Sequence, residues 1–460
     1  MANKKISDLT EITSADSAVD FLPVVDSSES KTKKIKLANF PLSDASEDTA
    51  YPYTIDIQAG VEQTRNLTTI TSSDGFYNTN QPDSIYIGTN VTSIGFAAFS
   101  NSSFAGTNLA NQSVTIPDSV TTIGSFAFYY SALTSVKLPN NPAFTSIERD
   151  TFGGCGSLTS IVIPDSVETI GNDAFRFCTS LASATIGNSV TSIADRAFDT
   201  CTSLTSIVIP DSVETIGSSA FYNCTILTSV IIPDSVTSIG NEAFRDCSLT
   251  SVIIPNSVST VGIGAFQNCT DLASATLPNN AGFTRVEDYL FYLCSLASID
   301  IPDSVTYIGN SAFQNCDLTS ITIPDSVSTI KLRAFQGCDR VESLTLPNNA
   351  GFTTIEQFTF AELRALLSLT IPNTVTTIGL KAFRNLNVLT TVEIPSSVSS
   401  IGQEAFQFCT LLGTINCLAT TAPALGSNPF SGVAATEIHV PVGATGYGAT
   451  YGGLTVVSDL

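Results

Sequence analysis

The sequence is poor in the residues on which most enzymes and nucleic-acid-binding proteins depend. Its 460 residues include no Trp, one Met, one His, and 19 Lys and Arg against 41 Asp and Glu. The net charge of −22 argues against nucleic acid and anionic membrane surfaces as partners, because neutralising phosphates requires clustered Lys and Arg. With one His and no HExxH, GxSxG or GxxxxGKS motif, we predict no enzyme activity, no catalytic or metal-ligating residues and no cofactor.

Long apolar runs are also missing. Stretches such as the Val-Ile-Ile at 230–232 are broken within a few residues by Pro, Asp or Ser. None approaches the roughly 18 residues needed to cross a bilayer, so no membrane insertion is expected. The first five residues do not lead into a hydrophobic segment, and we therefore expect no secretory signal.

What the sequence does contain is a strict repeat. LTSIVIPDSVETIGNDAFRFCTS begins at residue 158, and close copies begin at 181 and 204. Alignment on the Ile-Pro step gives fifteen units, most of them 22–25 residues long, which begin at 82, 111, 133, 158, 181, 204, 227, 249, 272, 296, 318, 341, 366, 389 and 412. A period of this length predicts a stacked array, since one unit cannot bury its own apolar face.

Each unit has the pattern of one strand followed by a turn and a short return. Before the Pro, apolar positions that would be buried alternate with positions that would point outward, as expected of a strand with one buried face. Pro then ends the strand, and Pro-Asp-Ser favours a turn. A second apolar pair, such as Val167 and Ile170, points back inward. The sequence therefore predicts a β-rich solenoid over residues 82–434, with a C-terminal cap at 435–460.

The unit pattern L-x-x-[IV]-x-IP-x-SV-x-x-IG-x-x-AF-x-x-C resembles the BspA-like (Treponema-type) class of leucine-rich repeats. This resemblance implies the leucine-rich-repeat fold. It leaves function open, since such repeats serve adhesins, receptors and other binding scaffolds.

Three recurring columns have structural interpretations that compete with functional ones. Ten Cys lie three residues after the repeat Phe, and we interpret them as buried free thiols rather than a metal ladder or disulfides. Asp118, Asp165 and their equivalents follow the Pro, where turn capping is favoured over calcium binding. The Thr, Ser and Val of the outward strand positions are attributed to strand propensity, because the regular Thr-x-Thr pairs of an ice-binding face are absent.

Departures from the repeat are the candidate binding residues. Lys137, Asp300 and Glu393 place charges at an outward strand position that is otherwise neutral. Tyr307 adds aromatic surface of the kind that glycans and proteins contact. LPNN insertions at 138–141, 277–280 and 346–349 are followed by Phe144, Phe283 and Phe352, which complete the candidate set.

The N-terminal segment does not follow the repeat. Residues 4–40 contain short apolar islands between Ser, Thr, Asp and Lys spacers, a composition that orders by docking to a partner. The phrase KISDLTE, DFLPVVD and TKKIKL resembles attachment segments of bacteriophage fibre and appendage proteins. This resemblance implies a virion anchor at 1–45, followed by a linker and N-terminal cap at 46–81.

The function predicted from these features is a non-enzymatic phage virion fibre or appendage, located on the particle surface. Residues 1–45 would contact other virion proteins, and the solenoid would bind a host-surface glycan or protein. Fibre anchors of this kind imply a homo-oligomer, with a trimer as one form. The alternatives are a cell-surface BspA-like adhesin and a capsid decoration protein without a receptor role.

Overall fold

The chain forms a β-solenoid. The computed structural model describes residues 68–70, 85–101 and 113–460, together with the backbone of the strands Phe21–Asp26, Lys31–Lys36, Tyr53–Ile55 and Gln63–Thr64. These residues form about fifteen turns and no helix, which confirms the predicted solenoid. No helix in this part of the chain could therefore cross a membrane. Most of the proposed anchor and linker, 1–81, lies outside the described residues.

Most turns contribute one strand from the segment before the Pro, and together we call these strands the first sheet. It is interrupted after Ser229–Ile231 and at the turns of Asp300 and Thr370, where a single bridge replaces the strand. Consecutive turns pair in parallel and in register, as where Val162 lies opposite Thr185. The middle residue of each strand is buried and the outer two are exposed, as the alternation predicted. The strands are Ile85–Ile87, Ser113–Thr115, Ser135–Lys137, Ser160–Val162, Ser183–Thr185, Ser206–Val208, Ser229–Ile231, Ser251–Ile253, Ser274–Thr276, Ser320–Thr322, Ser343–Thr345, Thr391–Ile394, Thr414–Cys417, Glu437–Val440 and Leu454–Ser458.

A second set of strands, which we call the second sheet, runs along the solenoid at the inward apolar pair and is interrupted at each of the three LPNN insertions. Here each strand has only two residues, and the second of them is buried, as in Thr169–Ile170. Its strands are Thr69–Ile70, Ser93–Ile94, Thr122–Ile123, Ser146–Ile147, Thr169–Ile170, Ser192–Ile193, Thr215–Ile216, Ser238–Ile239, Thr260–Val261, Arg285–Val286, Tyr307–Ile308, Thr329–Ile330, Thr354–Ile355, Thr377–Ile378, Ser400–Ile401 and Ala424–Leu425. Two residues are too few to show an alternation, so the sequence indicated their burial but not their pairing.

The third side of the solenoid, which we call the turn face, corresponds to residues 171–178 and their equivalents. Each turn holds two residues with positive φ four positions apart, such as Asp173 (58°) and Phe177 (58°). The amides of Asp173, Phe175 and Phe177 donate to carbonyls of the next turn at 2.8–2.9 Å. The intervening amides donate to carbonyls within their own turn. The backbone amides of this irregular segment are therefore hydrogen-bonded although the segment forms no third sheet.

A single apolar core fills the interior from Ile70 to Leu454. Its axis is a ladder of fifteen buried Phe rings, whose centroids lie 5.1–5.9 Å apart with interplanar angles of 2–20°. The rings are Phe99, Phe128, Phe152, Phe175, Phe198, Phe221, Phe244, Phe266, Phe291, Phe313, Phe335, Phe360, Phe383, Phe406 and Phe430. Such small angles mean that the ring planes of successive turns are nearly parallel, with little tilt between one turn and the next.

The Cys column lies beside this ladder, and all eleven Cys are free and buried. Each thiol of the continuous column caps a carbonyl of the preceding turn, as where Cys178 Sγ donates to Phe152 O at 3.2 Å. The interpretation as buried free thiols is therefore confirmed.

We expect native-state thiol titration to find almost no reactive groups, and denaturation to expose all eleven. Burial raises the pKa of the Cys155 and Cys224 thiols to about 12, so little reactive thiolate forms near neutral pH. Titration with a chromogenic disulfide reagent, with and without denaturant, measures this. Rapid reaction of several thiols in the folded protein would contradict it.

The C-terminal end is closed by a short hairpin. Leu454–Ser458 pairs in parallel with Glu437–Val440 and antiparallel with Thr450–Tyr451. The Tyr451 hydroxyl donates to Pro423 O at 2.7 Å, which ties the hairpin to the last complete turn. The core thus ends under a cap formed by the residues that follow the repeat.

Candidate binding surfaces

The three charged candidates lie on one column but far apart. Lys137 and Glu393 are exposed on the outer face of the first sheet, and Asp300 is exposed at the same repeat position in a turn that forms no strand there. Seven turns separate Lys137 from Asp300, or about 34 Å at the strand spacing, and four more turns separate Asp300 from Glu393, or about 19 Å. The structure therefore does not bring them together into one site.

The three Phe that follow the LPNN insertions were wrongly predicted to be binding residues. Phe144, Phe283 and Phe352 are fully buried, and no ligand at the surface could contact them. Each precedes the second-sheet Ile or Val by three residues, as Val167 precedes Ile170, so each Phe occupies the core position of that Val. That spacing was visible in the sequence and could have assigned them to the core.

Tyr307 lies on the second sheet and is half-buried. The guanidinium of Arg285, one turn earlier, lies 3.7 Å from its ring centroid, and Arg285 Nε also donates to Glu287 Oε1 at 2.7 Å. One ring face of Tyr307 is thus already occupied by a cation–π contact within the chain.

The first sheet carries an aliphatic ridge that the sequence analysis did not single out. Val162, Val208, Ile231 and Ile253 occupy the same outward column and are 65–74% exposed. Between Lys137 and Asp300 this column and the neighbouring Ser column carry no charge. Exposed apolar patches of this kind mark interaction sites, and the run of Val and Ile at one repeat position was the available signal.

The turn face carries the exposed aromatic side chains and most of the basic residues of the part of the chain that the structure describes. Within that part, the four aromatic residues that are clearly exposed, Phe96, Tyr130, Tyr289 and Phe408, all lie on it. So do eight of the twelve Lys and Arg of the described residues, namely Arg149, Arg176, Arg196, Arg245, Lys331, Arg333, Lys381 and Arg384. Tyr and Arg are enriched in protein interfaces, so this distribution favours the turn face as a recognition surface.

The densest part of the turn face spans residues 129–199, and we call it the Arg–Asp patch. Arg176 Nε donates to Asp199 Oδ2 at 2.9 Å. Arg176 and Arg196 also approach Asp173 Oδ1 at 3.5 and 3.6 Å. Arg176 and Arg196 are therefore held in place by the buried carboxylates of Asp173 and Asp199.

Aromatic rings border the Arg–Asp patch. Tyr129 and Tyr130 meet edge to face with centroids 4.6 Å apart, and the Arg176 guanidinium lies 4.4 Å from the Phe177 centroid. Burial raises the pKa of Asp150 and of Tyr129. The patch thus combines fixed charges with rigid aromatic surface, and it holds no nucleophile paired with a base.

Hydrogen bonding between turns explains part of the Asp column. Asp118, Asp165 and Asp325 each accept a hydrogen bond from the backbone amide of an Asn in the next turn, at 2.7–2.8 Å. No group of three or more His, Cys, Asp or Glu within the described ranges could hold a metal ion. At these three positions the Asp has a structural role, as predicted, but it joins the turn to the next one instead of capping its own turn.

Comparison with known proteins bears on the repeat. The BspA type leucine rich repeat region (6 copies) matches residues 100–225, 191–317, 284–413 and 328–446, which together cover more than half of the chain. These matches do not reach the N-terminal segment, whose likeness to phage attachment segments stays a prediction. The search of curated proteins found no match.

Several solved structures are similar to the chain. A leucine-rich repeat protein from Bacteroides ovatus is 22% identical over 91% of this chain and 100% of that one, with a TM-score of 0.46. A leucine rich cell surface protein from Faecalibacterium prausnitzii is 25% identical over 86% and 95%, with a TM-score of 0.43. A leucine rich repeat protein of Treponema pallidum is 24% identical over 56% and 83%, with a TM-score of 0.31. From the extent of the family match over its repeats, the protein belongs to the BspA type leucine rich repeat family.

Proposed function

We propose that this protein is a non-enzymatic binding scaffold, displayed on a surface, which recognises a protein partner through the Arg–Asp patch of its turn face. The carrying observation is that the four clearly exposed aromatic rings of the described residues, and most of their Arg side chains, lie on one of the three sides. Membership of a repeat family that serves adhesins and receptors supports surface display.

The chemistry of the patch favours a folded protein surface of mixed charge, because the patch holds three Arg beside five Asp and Glu. Arginines already fixed over buried Asp lose little side-chain entropy on binding, and rigid aromatic rings supply contact area at low entropic cost. Arg149 and Arg196 keep 62% and 52% of their side chains exposed, so their guanidinium groups remain available to a partner.

Substitution of Tyr130 and Arg196 tests this assignment. We expect Tyr130→Asn and Arg196→Ala each to weaken partner binding about tenfold or more, with no change in melting temperature beyond a few degrees. Asn tolerates the positive φ of 52° at residue 130. The matched control is Tyr289→Asn, an exposed aromatic at a similar φ of 58° in a distant turn.

The assay would present the labelled full chain to an array of purified extracellular proteins and an array of glycans. We expect one or more arrayed proteins to bind both the natural chain and the Tyr289→Asn variant, and to lose binding to the Tyr130→Asn variant. Hits confined to the glycan array, or unchanged in both patch variants, would contradict the assignment of the patch to a protein partner.

A second candidate for the location is a virion appendage anchored through residues 1–45, as either a fibre or a capsid decoration. It is favoured by the resemblance of residues 4–40 to phage attachment segments. Immunogold labelling of intact cells and of purified particles separates the two locations. Label on the cell envelope supports the adhesin, whereas label on particles that is lost when 1–45 is deleted supports the appendage.

A further inference from the structure

We propose that the outer face of the first sheet docks onto a second copy of this chain, antiparallel, about a two-fold axis between the turns of Val208 and Ile231. We infer that the partner is a second copy of the chain from the order of residues along one column of this face. That column reads Lys137, Val162, Thr185, Val208, Ile231, Ile253, Thr276 and Asp300, one residue per turn. The surface is separate from the turn face and does not depend on its proposed function.

The column is complementary to its own reverse. When a second copy is turned end for end, Lys137 lies opposite Asp300 of that copy, and Asp300 opposite its Lys137. Between these two ion pairs, Val208 meets Ile231, Thr185 meets Ile253, and Val162 meets Thr276. Only charges of opposite sign at equal distance from one centre give this match, and an isologous dimer requires such self-complementarity.

The geometry of the face permits the contact. Parallel pairing joins the four column positions from Val162 to Ile231 and pairs Ile253 with Thr276, so the ridge residues follow one another along the stack. Between Phe175 and Phe266 the core rings of neighbouring turns are within 2–11° of parallel. Little tilt therefore accumulates between the turns of this stretch, and since two copies of the face have identical periods, their side chains can interdigitate along the ridge.

The charges at the two ends are available for intermolecular pairing. Lys137 and Asp300 are exposed, and neither forms an ion pair with another described residue. With a net charge of −22 on each copy, close approach is least opposed where the surface is uncharged. That condition holds on this column between its two ends.

The size of the face indicates a reversible dimer. About 34 Å of column length and about 13 Å of strand width give roughly 900 Å² buried in total, below the roughly 1,200 Å² of a standard stable interface. We therefore expect association that depends on concentration over a range of about 1 μM to 1 mM.

Sedimentation equilibrium of the full chain, with a set of column variants, tests the proposal. Ile231→Lys is expected to weaken dimerisation about tenfold or more, since each dimer contains the residue twice. This side chain is 74% exposed, so the variant should keep the melting temperature of the natural chain. Glu393→Lys lies on the same column outside the contact and is expected to leave the dimer unchanged.

Exchanging the charges of Lys137 and Asp300 tests the two-fold register most specifically. Lys137→Asp and Asp300→Lys should each weaken the dimer about fivefold or more by placing like charges opposite one another. The double variant should restore it, because the pairs reform with exchanged signs. Failure of the double variant to recover would overturn the two-fold register.

Other outcomes would overturn the proposal as a whole. These are a monomer throughout the concentration range, a trimer, or an oligomer insensitive to Ile231→Lys. A monomer that instead binds insoluble β-glucan in an Ile231-dependent way would assign the ridge to a polysaccharide.

Discussion

Replacing Phe221 by Ala is expected to lower the free energy of unfolding by about 3–5 kcal/mol. Its ring is fully buried and stacks between Phe198 at 5.5 Å and Phe244 at 5.2 Å. Removing it leaves a cavity in the middle of the ladder, where backbone hydrogen bonds to both neighbouring turns oppose collapse. Urea denaturation followed by circular dichroism measures the loss.

The control for this substitution is Phe96→Ala. That ring is 64% exposed and lies outside the ladder, so the expected loss is below about 1 kcal/mol. Equal losses for the two variants would show that the Phe ladder contributes no more than surface aromatic residues. A repeat protein can also unfold in parts, so fluorescence from labels in distant turns should be followed alongside.

Gly240→Ala is expected to destabilise the solenoid by about 3 kcal/mol or more. An added Cβ would lie 2.4 Å from the backbone nitrogen of Ser218 and 2.6 Å from the carbonyl carbon of Gly217. These are backbone atoms of the preceding turn and cannot rotate away. The two turns would have to separate where the second sheet ends, which would break the Gly240 N to Ile216 O bond of 2.8 Å.

Gly413→Ala is the matched control. The nearest atom to its added Cβ is Leu411 O at 3.8 Å, an ordinary contact, and residue 413 has no positive φ. Its melting temperature should stay within a few degrees of the natural chain. Limited proteolysis should cut the Gly240→Ala variant near residues 217–240 first, and an unchanged cleavage pattern would contradict the predicted separation of turns.

The first sheet and the core could be predicted from the sequence because their signal repeats in every unit. Leu158, Ile161 and Ile163 occupy positions that are apolar in unit after unit, and all three are buried. The second sheet could not be predicted, because strands such as Thr169–Ile170 owe their pairing to neighbouring turns rather than to local pattern. The conformation of the turn face could not be predicted for another reason. Bulky residues such as Phe177 adopt a positive φ there, which is rare for such residues.

The binding surfaces were predicted only in part. Lys137 and Asp300 were identified because they depart from the repeat, and both are exposed on the predicted face. Ile231 was passed over because the residues of the outward strand positions were attributed to strand propensity, which Val and Ile share with Thr. The Arg–Asp patch joins residues from several turns, so no local motif marks it.

The hydrogen bonds of the turn face have a further electrostatic consequence. In both sheets the bonds between turns run in both directions along the stack, whereas on the turn face the donors of each turn all point toward the following turn. Their peptide dipoles therefore add along the solenoid axis, much as they do along a helix. The positive pole lies at the C-terminal end, where the amides of the last turn have no following turn to receive them. This polarity gives the two ends of the array different preferences for charged neighbours, even though the repeated units are nearly identical.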